Sequence, residues 1–256
     1  MKLLSANVGY LLDYDGSLSD YVRSPHRALL GGEAAERRAL DRLVDVLLEE
    51  RPDVVCLLEV DGGSYRTATT GQVETMAIEL AERGLDYRPR TDPKYGEDGL
   101  LVNLPALGNL SNGLLLRDGH PARAHYLDTG PKRLVTEVEL AEGLSLFAVH
   151  LAMRRSTRER QLDEIAALVA DRERAIVCGD FNAYDGHAEL DAFCERTGLV
   201  LHDPGETVPP RPLDFVVTET RTLDLFLASP DVVVSRCESL DVQVSDHRPI
   251  VLEFDA

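Results

Sequence analysis

The chain contains no tryptophan, and aromatic residues of all kinds are only 5% of its 256 residues. Cysteine is sparse too. Cys56, Cys178, Cys194 and Cys237 include no Cys-x-x-Cys pair, which argues against a zinc site. Cys56 and Cys178 fall in Val-rich runs, where a thiol behaves as a small apolar group. All four thiols are expected to be free, as in the reducing cytoplasm. No apolar run approaches the roughly 18 residues of a membrane span, so none is expected. Met1-Lys2-Leu3-Leu4-Ser5 leads straight into a strand pattern, without the charged segment and apolar stretch of a signal peptide.

Lysine is scarcer than any of these absences would require. Of 27 basic residues only Lys2, Lys94 and Lys132 are lysine, and 45 acidic residues leave a net charge of −18. Such a surface repels nucleic acid, whose non-specific binding rests on Lys and Arg neutralising phosphates. Few aromatic wedges are available to unstack bases. A non-specific or processive nuclease is therefore disfavoured, although a local basic patch would still admit DNA. Arg154, Arg155, Arg158 and Arg160, with Lys132-Arg133, are candidates for such a patch; alternatively they balance acids such as Glu159 and Asp163 on a solvated face.

What is present is an ordinary globular composition, 44% hydrophobic and 28% charged. No Pro/Ser/Gly linker divides it, so residues 1–256 are read as a single, monomeric domain. Apolar periodicity predicts helices over 33–50, 73–83, 157–172 and 187–197. Strands are predicted over 2–8, 54–58, 114–116, 133–140, 144–150, 175–178, 213–217, 223–228, 232–235 and 249–254, with a hairpin across Glu142-Gly143. Residues 86–112 read as irregular because of their Pro and Gly breakers. The loops 9–32 (with Tyr10, Tyr14, Tyr21 and His26) and 61–72 are candidates for shaping a pocket. Helix 33–50 leads to a buried strand ending at Glu59, and helix 157–172 to one ending at Asp180. That echo points to two similar halves facing one cleft.

Polar clusters close several of the apolar runs: Asn7, Glu59, His150, Gly179-Asp180-Phe181-Asn182 and Ser245-Asp246-His247. Oxygen ligands delivered from several strand ends can converge on one hard cation, leaving histidines for proton transfer. Singly, each has an ordinary reading as a turn former, a strand-end acid or a core histidine. Asp180 and Asn182 point the same way in extended backbone, and Gly179 allows a close approach to the chain. Asp246 and His247 diverge because they are adjacent, so another acid must orient His247. Asp224 is the choice and Asp214 the rival.

In this order and spacing, from Asn7 through Leu-Asp-Leu-Phe-Leu at 223–227 to Ser-Asp-His at 245–247, the residues resemble the endonuclease/exonuclease/phosphatase superfamily. That group includes pancreatic-type deoxyribonucleases, abasic-site endonucleases, neutral sphingomyelinases and inositol-polyphosphate phosphatases. The resemblance implies an α/β (α+β) fold, a four-layered α/β/β/α sandwich of two packed mixed sheets flanked by helices. It implies a Mg²⁺- or Mn²⁺-dependent phosphoesterase that hydrolyses a phosphodiester by in-line attack of water. Glu59 would be the principal metal carboxylate, with Asn7 and Asp246 nearby. Asp180 would orient or deprotonate the water, Asn182 would touch the scissile phosphate, and His247 with Asp224 would form a His–Asp pair there. His150 resembles the second histidine of the deoxyribonuclease and sphingomyelinase branches. Asn112 resembles a phosphate-contacting Asn that usually follows Gly, where this chain has Ser111. The expected partner is a small or lipid-like phosphoester, with a repair-type DNA endonuclease or exonuclease as the alternative. A catalytically inactive binding protein is the third reading, but such proteins usually lose a ligand or a histidine, and none is missing here.

Overall fold

Alternation along the buried strands decides the architecture. In Val54-Val55-Cys56-Leu57, Val55 and Leu57 join one apolar cluster while Val54 and Cys56 join another. Leu3 and Leu4 divide in the same way, as a period of two requires when both faces of a sheet are covered. The computed structural model describes residues 1–12, 33–63, 71–94, 110–209 and 219–255. Asp214, the strand predicted over 213–217, Tyr14, Tyr21, His26 and most of the 61–72 loop lie outside the described residues.

The strands are β1 (Lys2–Asn7), β2 (Val54–Asp61), β3 (Arg88–Pro93), β4 (Leu110–Leu116), β5 (Ala122–Tyr126), β6 (Leu134–Ala141), β7 (Leu144–His150), β8 (Arg174–Asp180), β9 (Val200–His202), β10 (Asp224–Ala228), β11 (Val233–Ser239) and β12 (Ile250–Asp255). The helices are α1 (Glu33–Glu50), α2 (Gln72–Glu82), α3 (Arg155–Ala170) and α4 (Ala188–Thr197). Two six-stranded sheets result, ordered β11-β12-β1-β2-β4-β3 and β5-β6-β7-β8-β10-β9. One apolar layer lies between the sheets, including Leu3, Cys56, Leu146, Cys178 and Phe226. A second joins α1 and α2 to the first sheet, and a third joins α3 and α4 to the other. The expected α/β/β/α sandwich is the observed fold. Among the described residues no helix is long and apolar enough to cross a membrane.

The two sheets repeat one plan. Parallel β1 and β2 are flanked by antiparallel β12 and β4. Parallel β7 and β8 are flanked in the same way by β6 and β10. Helix α1 lies between the first parallel pair in the chain and α3 between the second. Matching strand to strand pairs Asn7 with His150, Glu59 with Asp180, and Asn112 with Asp224. The echo in the sequence is therefore architectural, and its strand ends carry the candidate residues.

The hairpin over Glu142-Gly143 forms as expected. Residues 86–112 are not wholly irregular, because β3 lies there and pairs with β4. β3, β5 and β9, none of them predicted, are all edge strands. An edge strand tolerates the prolines of β3 and needs no continuous apolar run, which is why their composition did not disclose them.

Candidate active site

Gly179 carries φ +131°, and a Cβ there would lie 2.0 Å from the Val149 carbonyl oxygen. Only glycine fits that approach between the paired strands. One residue further on, Asp180 stands opposite His150 in the same parallel ladder. Its Oδ2 lies 3.2 Å from His150 Nε2 and accepts from Asn7 Nδ2 at 3.1 Å, while Oδ1 accepts from the Asn182 amide at 2.9 Å. Asn182 is not extended as expected but left-handed (φ +52°). The turn brings its amide back onto Asp180, and its Nδ2 donates to Leu151 O at 3.0 Å. The second Nδ2 hydrogen remains for another acceptor.

His247 arrives on the segment before β12. The Ser245 hydroxyl donates to Asn7 O and accepts from the His247 amide at 3.0 Å, tying that segment to the end of β1. His247 Nδ1 lies 2.7 Å from Asp224 Oδ2. The Thr207 hydroxyl accepts from the amides of Leu223 and Asp224. Asp180, Asp224 and His247 each offer a ligand atom within 4.8 Å of the others.

Glu59 sits where the β2–β4 register shifts between Leu57 and Val60, so that Leu58 and Glu59 oppose the single residue Asn112. A bulge of this kind re-aims a side chain. Glu59 adopts φ +56°, and its amide donates to Asn112 Oδ1 at 3.3 Å. Asn112 thus supports the bulge through its Oδ1. The Glu59 carboxylate lies 3.3 Å from Lys94 Nζ and 3.8 Å from His150 Nδ1. Lys94 Nζ also donates to the Tyr10 hydroxyl at 3.0 Å. Tyr10 itself is left-handed (φ +55°), with its carbonyl held by Gln72 Nε2 at 2.9 Å. Lys132 Nζ contacts His150 Nε2, and the Lys132 carbonyl is fixed by buried Gln161 of α3.

The electrostatics separate the two histidines. Burial, then the Lys94 charge, push His150 down to about 4 against the pull of Asp180. It is neutral near pH 7. Burial also opposes the charge on His247, but Asp224 and Asp180 outweigh it and raise that imidazole to about 10, with Asp246 adding to the effect. It is an imidazolium near pH 7. Asp180 is held below the ordinary carboxylate range: burial works against its charge, and His247, His150 and Lys132 prevail. Glu59 is lowered as well, burial being outweighed by Lys94, His150 and Lys132.

The residues chosen from the sequence therefore meet. Asn7, His150, Asp180, Asn182, Asp224 and His247 form one connected set, and Glu59 with Asn112 joins it through His150. Asp246 flanks His247 and is only partly buried. Lys94, Thr207 and Gln161 were not singled out as site residues, and Tyr10 was named only as part of the 9–32 loop expected to shape a pocket. The available signal was the rarity of lysine, since two of the three lysines lie here. The donor set suits a hard divalent cation: carboxylates and amides predominate, and two buried atoms, Asp224 Oδ1 and His150 Nδ1, have no hydrogen-bond partner.

The geometry can be set beside proteins of known structure. A protein described as endonuclease/exonuclease/phosphatase from Beutenbergia cavernae DSM 12333 superposes with a TM-score of 0.67 at 18% identity, over 99% of this chain and 71% of that one. A mannosyl-6-phosphatase from Bacteroides thetaiotaomicron VPI-5482 gives 0.63 at 16% identity, over 100% of both chains. D. rerio TDP2 complexed with single-strand DNA product gives 0.62 at 17%, over 100% of this chain and 99% of that one. At such identities these likenesses speak for the fold. No curated protein matches the chain in sequence. The sequence profile of the Endonuclease/Exonuclease/phosphatase family matches residues 4–247, a span that runs from β1 to His247 and takes in every candidate site residue described above. By that match, the chain belongs to the Endonuclease/Exonuclease/phosphatase family.

Proposed function

We propose that the protein is a Mg²⁺- or Mn²⁺-dependent hydrolase of a small phosphodiester, acting by in-line attack of water. One observation carries the reading: the buried Asp180 carboxylate lies 3.2 Å from His150 Nε2 and within 4.8 Å of a ring nitrogen of His247, and their surroundings push the two imidazoles in opposite directions, His150 down and His247 up. Opposite protonation states side by side are what acid–base chemistry at one phosphorus needs.

Asp180 is oriented by the Asn182 amide and Asn7 Nδ2, so it can hold a water in line for attack. Asp224 occupies His247 Nδ1, which leaves Nε2–H as the donor to a phosphoryl oxygen as charge develops. Asn112 and Asn182 supply neutral N–H groups to the same phosphate. When bound, a divalent ion at Glu59, with Asn7 and Asp246 nearby, would polarise a non-bridging oxygen and stabilise the leaving oxygen. Such positioning and charge stabilisation are the main demands of phosphoryl transfer.

The net charge of −18 supports a small substrate over a duplex. A second reading, DNA cleavage, draws on the structural likeness to TDP2 with its single-strand DNA product. Turnover should be measured on a chromogenic diester, a sugar phosphate, sphingomyelin, inositol phosphates, plasmid and abasic duplex, each with Mg²⁺, Mn²⁺ or chelator. Metal-dependent turnover of a small ester that falls at least about a hundredfold in Asp180→Asn is expected. Hydrolysis of DNA alone selects the second reading, and near-normal activity of folded Asp180→Asn overturns both.

A further inference from the structure

Lys94 is only 4% exposed, and its ammonium has two neighbours of different kinds. One is the charged carboxylate of Glu59, at 3.3 Å; the other is the neutral hydroxyl of Tyr10, at 3.0 Å. The Tyr10 ring also lies beneath the charge, its centroid 5.3 Å from Nζ. Elsewhere the chain builds its ion pairs mainly with arginine, as in Arg236–Glu50, Arg172–Glu137 and Arg158–Glu189. Arginine gives a rigid planar fork, whereas lysine is a point charge on a flexible stem that can change partner. The lysine here is bonded to the very carboxylate that the proposed function gives to a metal ion.

A buried ammonium is costly without an anion beside it. A cation placed on Glu59 would remove that anion and add like-charge repulsion. Tyr10 would retain a hydrogen bond to the ammonium but could not neutralise it. Asp180 also acts on the ammonium, but without a contact to it; an anion brought by the ligand itself would replace the partner that is withdrawn. We propose that Lys94 is the internal counter-ion of Glu59, displaced when a divalent cation binds and then handed to an oxygen of the substrate phosphoryl group. Lys94 thereby couples the two ligands: cation binding makes a phosphate welcome, and by linkage phosphate tightens the cation by the same factor. The inference rests on the metal reading of Glu59 given above.

The test is binding rather than turnover. Mn²⁺ affinity of the full chain is measured by electron paramagnetic resonance or calorimetry, with and without inorganic phosphate, for wild type, Lys94→Met and Lys94→Gln, with circular dichroism to establish folding. Removing the competing charge should tighten Mn²⁺ alone by about tenfold in both variants. In wild type, phosphate should tighten Mn²⁺ by at least about fivefold, and the variants should lose most of that coupling. A lysine that only props up the structure would leave Mn²⁺ affinity unchanged or weaker in folded variants, which overturns the proposal. Mn²⁺ bound by wild type with no response to phosphate overturns it without recourse to any variant, while leaving the metal reading intact. Failure of all three chains to bind Mn²⁺ overturns the metal reading and this inference together.

Discussion

His247 Nδ1 and Asp224 Oδ2 lie 2.7 Å apart, although the two residues belong to different sheets: Asp224 begins β10, and His247 precedes β12. The Ser245 and Thr207 hydroxyls fix the two backbones that make the meeting possible. The imidazole is therefore aimed from two independent anchor points.

His247→Ala should reduce turnover by at least about a hundredfold, roughly 2.7 kcal/mol of transition-state stabilisation, with the fold intact. Asp224→Asn should cost less, about tenfold or more, because the ring remains but loses its orienting charge. Steady-state kinetics with circular dichroism as the folding control would check this. A folded His247→Ala with near-normal kcat contradicts the assignment.

Gly179→Ala should damage the protein out of proportion to one methyl group. The added carbon would meet the Val149 carbonyl at 2.0 Å, so the strands must separate or the backbone must change region. A cost of about 3 kcal/mol or more is expected, seen as a lowered midpoint of urea unfolding. Activity should fall further than stability accounts for, because Asp180 is the next residue. An unchanged midpoint would mean the ladder yields more easily than its geometry implies.

Glu59→Gln should weaken divalent-cation binding by at least about tenfold, since an amide replaces the carboxylate at the centre of the proposed metal set. The same substitution leaves Lys94 without its charged neighbour. Equilibrium dialysis with Mn²⁺ measures the first effect. Chelator should abolish turnover in wild type, and added Mg²⁺ or Mn²⁺ should restore it.

Acid stability should depend on a residue outside this site. The Arg172 guanidinium, in opposition to burial and helped by His125 and Ser145, holds the Glu137 carboxyl down to about 2 from an ordinary 4.5. A carboxyl depressed in the folded state adds stability that is complete above the unfolded value and is lost as pH falls toward the folded one. Glu137→Gln should therefore cost about 2 kcal/mol near pH 7 and flatten the loss of stability between about pH 4.5 and 2. Urea midpoints across that range test it, and equal pH slopes for variant and wild type would count against it.

The interior of the fold was legible because buried strands such as Val54–Leu58 and Ala175–Cys178 are continuous apolar runs, and α1 and α3 repeat their apolar residues at helical spacing. The edge strands β3, β5 and β9 carry no such signature, since water covers part of their surface. Strand-end polar residues pointed to Asn7, Glu59, His150, Asp180, Asp224 and His247 because a charge after a buried run needs a partner. Lys94 and Tyr10 lacked any comparable local context. They become site residues only when β3 and the turn after β1 are brought beside Glu59. The left-handed backbone at Asn182, Glu59 and Tyr10 was equally silent, because none of these residue types demands that conformation.

The layer between the sheets has a consequence for chemistry. Glu59 and Asn112 ride on one sheet while His150, Asp180 and Asp224 ride on the other, and Cys56, Leu146, Cys178 and Phe226 are the spacers that set the gap. Neither sheet alone carries the whole candidate set. On the proposed reading, the distance between the cation-holding and proton-handling groups is fixed by the thickness of this hydrocarbon seam, and a drift of about an ångström there is enough to misalign reacting atoms.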